Sequence, residues 1–96
     1  MVIEFLTFDV DPAIREAWMS VEGATWSRYL EGRPGFVRKQ LWVEQGNPGQ
    51  VHAMITWTDV TAWHTVPGED VERVDAAMGD MLRTCTMRVF DVVRDS

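Results

Sequence analysis

The order of strand-like and helix-like segments constrains this chain more than any other feature. Four segments, near residues 2–9, 36–45, 50–58 and 84–94, carry β-branched and aromatic residues with the two-residue alternation of strands. One helical pattern follows the first segment and another follows the third. This β-α-β-β-α-β order is typical of a four-stranded antiparallel sheet with both helices on one face. The sequence therefore predicts an α+β, ferredoxin-like fold.

Start and stop signals mark the helical patterns. Asp11 is followed by proline, as expected of an N-cap with proline in the first helical position. Gly32 opens the glycine- and proline-containing segment that ends this first helix, and Gly23 is a candidate interruption inside it. Asp59 is a second N-cap candidate before a short helical turn. A longer helix is predicted from Glu69 onward, because apolar residues recur there at helical spacing.

The alternation also assigns side chains to the two faces of the sheet. In the second strand one face is predicted to carry Val37, Leu41 and Val43, and the other Phe36, Arg38, Gln40 and Trp42. In the last strand Cys85, Met87, Val89 and Val93 share a face, and Cys85 is expected to be a small buried hydrophobe. The helix-free face then mixes polar and large apolar groups: Arg38, Gln40, Trp42, His52, Met54, Thr56, Arg88, Phe90 and Val92. Since water would contact several large apolar side chains there, we expect a homodimer joined through the sheets.

Length and composition exclude several classes of protein. Ninety-six residues suffice for one domain, so we expect residues 1–96 to form a single unit. The composition, 46% hydrophobic and 25% charged, is too apolar for a disordered chain and contains no run of about 18 apolar residues for a membrane span. A net charge of −6 argues against binding to nucleic acid or an anionic membrane. The single cysteine and the absence of a leader pattern predict the cytoplasm.

Several sequence motifs resemble those of a known family. They are the strand opening Val2 to Phe8, Trp26, Pro34-Gly35-Phe36, Trp42, Ile55-Thr56-Trp57, Trp63 and Pro67. Together they resemble the antibiotic-biosynthesis-monooxygenase-type dimeric α/β barrel proteins, and more narrowly a small group of uncharacterised bacterial members of that superfamily. The resemblance implies a ferredoxin-like monomer, a dimer, and a pocket between helices and sheet.

Activities in that superfamily include cofactor-independent oxygenation of polycyclic phenols and haem degradation, and some members have no known activity. The haem-degrading members use a first-strand asparagine, a tryptophan and a later histidine, but here only Trp63 matches, Asn47 lies in the hairpin turn, and position 73 is arginine. The quinone-forming oxygenases have an asparagine one turn before this tryptophan. This chain has Asp59 there, and a carboxylate cannot donate the hydrogen bond of an amide.

Five tryptophans in 96 residues are an unusual aromatic inventory. Their flat faces suit a planar ligand, so Trp26 and Trp63, with the neighbouring His64, are candidates for the pocket. A purely structural role in the core remains equally open for the tryptophans, and a plain surface position for His64. His52, on the helix-free face, is either a hydrogen-bonded interface histidine or a base. The two histidines lack metal-ligand spacing, so we expect neither a metal nor a cofactor.

Two classes of function follow from these observations. One is an enzyme that resembles cofactor-independent monooxygenases and acts on an aromatic small molecule. The other is a non-catalytic dimeric module whose tryptophans fill the core and whose sheet serves assembly alone. The residues leave the choice between enzyme and module open, and they assign no catalytic residue.

Overall fold

A computed structural model of residues 1–96 contains the predicted order of strands and helices. The strands are β1 (Val2–Asp9), β2 (Phe36–Glu44), β3 (Asn47–Trp57) and β4 (Cys85–Asp91). They form one antiparallel sheet in the order β2-β3-β1-β4, so the first and third strands are central. The helices pack on one face of this sheet. The ferredoxin-like fold predicted from the sequence is confirmed.

The first helical run is continuous but not uniform. It consists of a 3-10 turn (Pro12–Ile14), α1 (Arg15–Glu22), a π-helical stretch (Gly23–Ser27) and α2 (Arg28–Glu31). Asp11 caps the start, because its Oδ1 accepts a hydrogen bond from the Ala13 amide at 2.8 Å. The interruption considered at Gly23 takes the form of this π-helical stretch, which widens the helix without ending it.

The second helical region has two helices. Asp59 caps α3 (Val60–His64), since its Oδ1 accepts from the Ala62 amide at 2.7 Å. After a proline the chain forms α4 (Gly68–Met78), followed by a 3-10 turn (Gly79–Met81). No helix in the chain has both the length and the apolar character needed to cross a membrane.

Two separate apolar clusters hold the helices on the sheet. The first contains Val2, Leu30, Ile55 and Trp57. The second contains Val10, Trp18, Val51 and Met78. The β3 residues of these clusters, Val51, Ile55 and Trp57, lie on the opposite face from His52, Met54 and Thr56, as the alternation predicts.

The face assignment at the start of β2 was wrong, because the strand contains a β-bulge. Phe36 pairs with Trp57 and Arg38 with Thr56, so Val37 is an extra residue without a partner. A bulge places two residues opposite one and reverses the alternation on one side of it. Phe36 therefore lies on the helix side, with its ring 5.9 Å from that of Trp57, whereas Val37 is 43% exposed. A second register shift near the end of β2 leaves Val43 exposed as well.

The predicted ends of two strands also need correction. The hairpin turn is the two-residue Gln45-Gly46, with Gly46 at φ 83°, so β3 begins at Asn47 rather than near residue 50. β4 ends at Asp91, and Val93 beyond it is 94% exposed rather than part of a strand face. Cys85 is exposed, contrary to the expectation of burial. Its strand lies at the edge of the sheet, so one side of it has no neighbouring strand.

Two glycines provide a matched test of the packing between β2 and α3. Gly35 has φ 79°, and a Cβ there would collide with the Cβ of Ala62 and lie 2.8 Å from Thr58 Oγ1. We expect Gly35→Ala to lower the free energy of unfolding by at least about 2 kcal/mol, through backbone strain and overpacking. Gly23 has helical dihedral angles and open space around it, so Gly23→Ala should raise that free energy by about 0.5–1 kcal/mol. Urea unfolding measures both, and a Gly35→Ala variant as stable as the native chain would contradict the packing described.

Candidate functional site

A cavity of about 710 Å³ lies between the helix side of the sheet and the helices. Residues from both apolar clusters line it, and 15 of its 22 lining residues are hydrophobic. Small-molecule sites typically occupy about 300–1,000 Å³ and combine an apolar lining with a few polar groups. The size and lining of this cavity are those of a small-molecule site.

Four of the five tryptophans line this cavity: Trp18, Trp26, Trp57 and Trp63. Trp26 lies in the π-helical stretch, and its Nε1 donates to Asp75 of α4 at 2.9 Å, which joins the two helical regions. The buried Nε1 of Trp18 has no hydrogen-bond acceptor in the protein. A buried donor without a partner costs about 1–3 kcal/mol of stability.

The three residues predicted for a pocket all lie in the cavity lining. Trp63 is partly buried on α3, and its ring centroid is 4.8 Å from that of His64. His64 itself is exposed, so it belongs to the rim of the cavity rather than its interior. The structure thus brings Trp26, Trp63 and His64 together, and their role toward a ligand remains a prediction.

A polar floor forms part of the same cavity, and its first member is Glu4 in the middle of β1. One Glu4 oxygen accepts a hydrogen bond from Trp57 Nε1 at 3.2 Å. Burial raises the pKa of the Glu4 carboxyl above its ordinary value of 4.5, and the hydrogen bond from Trp57 and the positive charge of Lys39 oppose this rise only in part. Glu4 is therefore a stronger proton acceptor than an exposed glutamate.

The second part of the floor is a buried ion pair between Glu22 and Lys39. Their side chains are only 4% and 8% exposed, and Glu22 also accepts a hydrogen bond from Ser27 Oγ at 2.9 Å. The π-helical stretch produces this last contact, because it places a residue five positions on above Glu22. The pair connects the end of α1 to β2 across one side of the cavity.

Sequence reasoning missed these three charged residues as site candidates. The sequence did contain a signal: a charged residue on a strand face whose neighbouring residues, two positions away, are apolar and therefore expected to be buried. Glu4 interrupts the apolar face of β1 between Val2 and Leu6, and Lys39 precedes Leu41 on the helix side of β2. Charged side chains are rarely buried without a partner, so such positions indicate either an ion pair or a site.

The six residues predicted for the dimer face lie on the opposite, helix-free side of the sheet: Arg38, Trp42, His52, Met54, Arg88 and Phe90. Phe5 is at the centre of this surface, with ring centroids 6.0 Å from Trp42, 5.3 Å from His52 and 6.1 Å from Phe90. His52 Nδ1 lies 2.8 Å from Thr7 Oγ1, a hydrogen-bonding distance. The sheet separates His52 from the cavity.

The structure also shows where Arg73 and Cys85 lie and whether any side chains could hold a metal ion. Arg73, at the position where the haem-degrading proteins have a histidine, lies on the outer side of α4 and pairs with Asp70 at 3.3 Å. Cys85 lies at an exposed edge of the cavity lining. Partial desolvation there, with the negative charges of Asp75 and Glu4, raises the pKa of its thiol, so the thiol is neutral near pH 7. The chain contains no group of three histidine, cysteine or acidic side chains placed to hold a metal ion.

The fold and the cavity together define a ferredoxin-like protein with a small-molecule-sized space between its helices and its sheet. Solved structures share this architecture. A cofactor-independent oxygenase, SnoaB from Streptomyces nogalater, is 21% identical, with a TM-score of 0.69 over 98% of this chain and 94% of that chain. A monooxygenase, ActVA-Orf6 of Streptomyces coelicolor in complex with nanaomycin D, is 13% identical, with a TM-score of 0.76 over 99% of this chain and 92% of that chain.

A third structure is a point variant of MhuD with two manganese protoporphyrin IX molecules per active site. It is 19% identical, with a TM-score of 0.77 over 100% of this chain and 98% of that chain. No protein-family model matches the sequence, and no curated protein matches it. At these identities the comparisons establish the fold. They confirm the resemblance in fold to antibiotic biosynthesis monooxygenase structures, which are also among the matches.

The buried ion pair predicts a non-additive effect of substitution. Lys39→Met should lower the free energy of unfolding by about 3–5 kcal/mol, because it leaves the Glu22 carboxylate buried without its cation. The double variant Glu22→Gln, Lys39→Met should recover much of this loss, since glutamine is neutral and can still accept from Ser27. Urea unfolding of the single and double variants measures the coupling. If the two single substitutions proved additive, the pair would not be coupled as described.

Proposed function

We propose that the chain binds an electron-rich aromatic small molecule in the helix–sheet cavity and oxygenates it with O₂, without a metal or organic cofactor. The observation that carries this proposal is the cavity itself. It is lined by four indoles and has a polar floor made of Glu4, Glu22 and Lys39. Indole faces suit a planar ring, and a few buried polar groups can orient it.

The proposed reaction takes its electrons from the substrate. A phenol with hydrogen on the ring carbon para to its hydroxyl can react with one O₂ to give a para-quinone and one water. A carbon–oxygen bond forms at that ring carbon, while the O–O bond, the ring C–H bond and the phenolic O–H bond break, and the two hydrogens released leave in the water molecule. One oxygen atom becomes the second carbonyl and the other leaves as water, so the substrate supplies all four electrons. The protein has to bind the ring, hold its hydroxyl proton and limit access of water.

The structural neighbours support this chemistry by analogy of fold. SnoaB is a cofactor-independent oxygenase, and the ActVA-Orf6 monooxygenase binds nanaomycin D. Asp59 stands where the quinone-forming oxygenases have an asparagine, and Arg73 stands where the haem-degrading proteins have a histidine. Other residues of this chain would therefore contact the ligand.

We also infer that the chain forms a homodimer through the helix-free face of the sheet. Trp42 and Phe90 are 45% and 41% exposed on that face, and they surround a shared aromatic centre at Phe5. A second copy of the same face would remove these rings from water, while Arg38 on β2 and Arg88 on β4 lie on the two edge strands.

Oxygen uptake with 1-naphthol tests the proposed activity. In the presence of a metal chelator, we expect the protein to catalyse the uptake of one O₂ for each 1,4-naphthoquinone formed. Trp63→Ala should reduce the rate at least about tenfold, because it removes a ring that would hold the substrate. Val60→Ala, an exposed change on the same helix, is the matched control and should retain the native rate.

An oxygen electrode measures the O₂ consumed, and the quinone absorbance measures the 1,4-naphthoquinone formed. If 1-naphthol quenches tryptophan fluorescence saturably but no oxygen is consumed, the chain binds aromatic molecules without oxygenating them. If it neither binds nor reacts below about 100 μM, which corresponds to roughly −5.5 kcal/mol, the non-catalytic dimeric module becomes the better description.

Light scattering coupled to gel filtration tests the homodimer. The native chain should elute at about twice the 11.0 kDa of one copy. Trp42→Glu should shift it toward the monomer, because a carboxylate without a partner would be buried at the interface. Val93→Glu adds the same charge at a position outside the sheet and should leave the dimer intact. A native chain that remains monomeric at micromolar concentration would contradict the proposal.

A further inference from the structure

Two carboxylates of the cavity, Glu4 on the sheet and Asp75 on α4, are in no ion pair, and each accepts one hydrogen bond from an indole; Glu4 is the one that lies on the floor of the cavity. Its one side-chain hydrogen bond is the contact from Trp57 Nε1 at 3.2 Å. Neither of the two ion pairs in the chain includes it, because Lys39 is paired with Glu22 and Arg73 with Asp70. A carboxylate offers about four acceptor positions on its two oxygens. Most of the acceptor capacity of Glu4 is therefore available to a ligand in the cavity.

The position of Glu4 on the sheet places it on the cavity floor. It lies on the central strand β1, opposite Ile55 on one side and Val89 on the other. Ile55 is in turn opposite Lys39 on β2, so Glu4 and Lys39 flank one apolar side chain on the same face. A planar ring lying on Ile55 would have a carboxylate at one edge and the Glu22–Lys39 pair at the other.

The charged and titratable groups around the cavity come from every element packed on it. Besides Glu4 and the Trp57 donor they are Glu22 on α1, Lys39 on β2, His64 on α3, Asp75 on α4, Arg83 after α4 and Cys85 on β4. Glu22 and Lys39 are paired with each other, and Asp75 accepts from Trp26 Nε1 at 2.9 Å, a shorter contact than the 3.2 Å between Trp57 Nε1 and Glu4. Burial also raises the pKa of the Glu4 carboxyl, which increases its basicity.

We propose that Glu4 accepts the proton of a hydroxyl group on the aromatic ligand, which makes it the general base of the cavity and selects hydroxylated rings. The O–H bond of the ligand breaks, the proton moves to a Glu4 oxygen to form the carboxylic acid, and the electron pair stays on the ligand oxygen as a phenolate. No oxidant takes part in this step. The inference rests on the proposed function, because a phenolate is the form of the ring that gives up electrons to O₂ most readily.

Anaerobic titrations with 1-naphthol and 1-methoxynaphthalene test this inference. The two probes share one ring system, and only the first has a proton to give, while the absence of O₂ prevents turnover. We expect the native chain to bind 1-naphthol about tenfold more tightly than the methyl ether near neutral pH. In Glu4→Gln this preference should fall to about twofold or less. Glutamine retains an oxygen that can accept from Trp57, so the variant is expected to fold.

The pH dependence gives a second readout on the native chain. The preference for 1-naphthol should be present above the raised pKa of Glu4 and should shrink as the pH falls through it, because a protonated carboxyl no longer takes up the hydroxyl proton. Glu4→Gln should show no such change. His64→Gln removes the imidazole at the cavity rim and tests the other candidate acceptor. Glu72→Gln, the same change as Glu4→Gln at an exposed position of α4 outside the cavity, is the matched control and should keep both the preference and its pH dependence.

The outcomes separate the two proposals. If neither probe binds the native chain saturably, the proposed function fails and this inference fails with it. If both probes bind but the ratio of their affinities is the same in the native chain and in Glu4→Gln, the inference fails and the proposed function stands. A ratio that changes in His64→Gln instead would assign the proton to the imidazole and overturn the role of Glu4.

Discussion

The buried pair between Glu22 and Lys39 is the interaction on which the arrangement of the cavity depends. Two charges that are almost entirely removed from water must lie together, so the end of α1 is held over β2 at this point. The two apolar clusters hold the helical layer elsewhere, on either side of the cavity. The helices thus contact the sheet through one ion pair and two apolar clusters, and the cavity lies between these contacts.

The irregular first helix adds a further contact to this pair. A regular α-helix would bring residues three and four positions on above Glu22, whereas the π-helical stretch brings Ser27 to its carboxylate. The stretch also contains Trp26, whose indole reaches Asp75 on α4. A local departure from α-helical geometry therefore supports both the buried charge and the wall of the cavity.

The sheet separates two surfaces of different chemistry. On the helix side, indoles surround a floor with one incompletely neutralised carboxylate, which suits a planar ligand with a proton to give. On the other side, aromatic rings around Phe5 are half exposed and are bordered by arginines, which suits a flat partner such as a second copy of the sheet. Because side chains alternate between the two faces of each strand, one set of four strands can carry both surfaces.

Sequence alone determined the order of the elements, the helix caps at Asp11 and Asp59, and the faces of the central strands. These features depend on local alternation, on glycine and proline, and on capping residues a few positions away. The tertiary structure decided what depends on distant partners. The bulge at Val37 became visible only once β2 was aligned with β3, and it moved Phe36 to the core. Likewise, Glu4, Glu22 and Lys39 lie on three different elements. Only the folded chain brings the Lys39 ammonium against the Glu22 carboxylate, and that pairing leaves Glu4 without an ion pair.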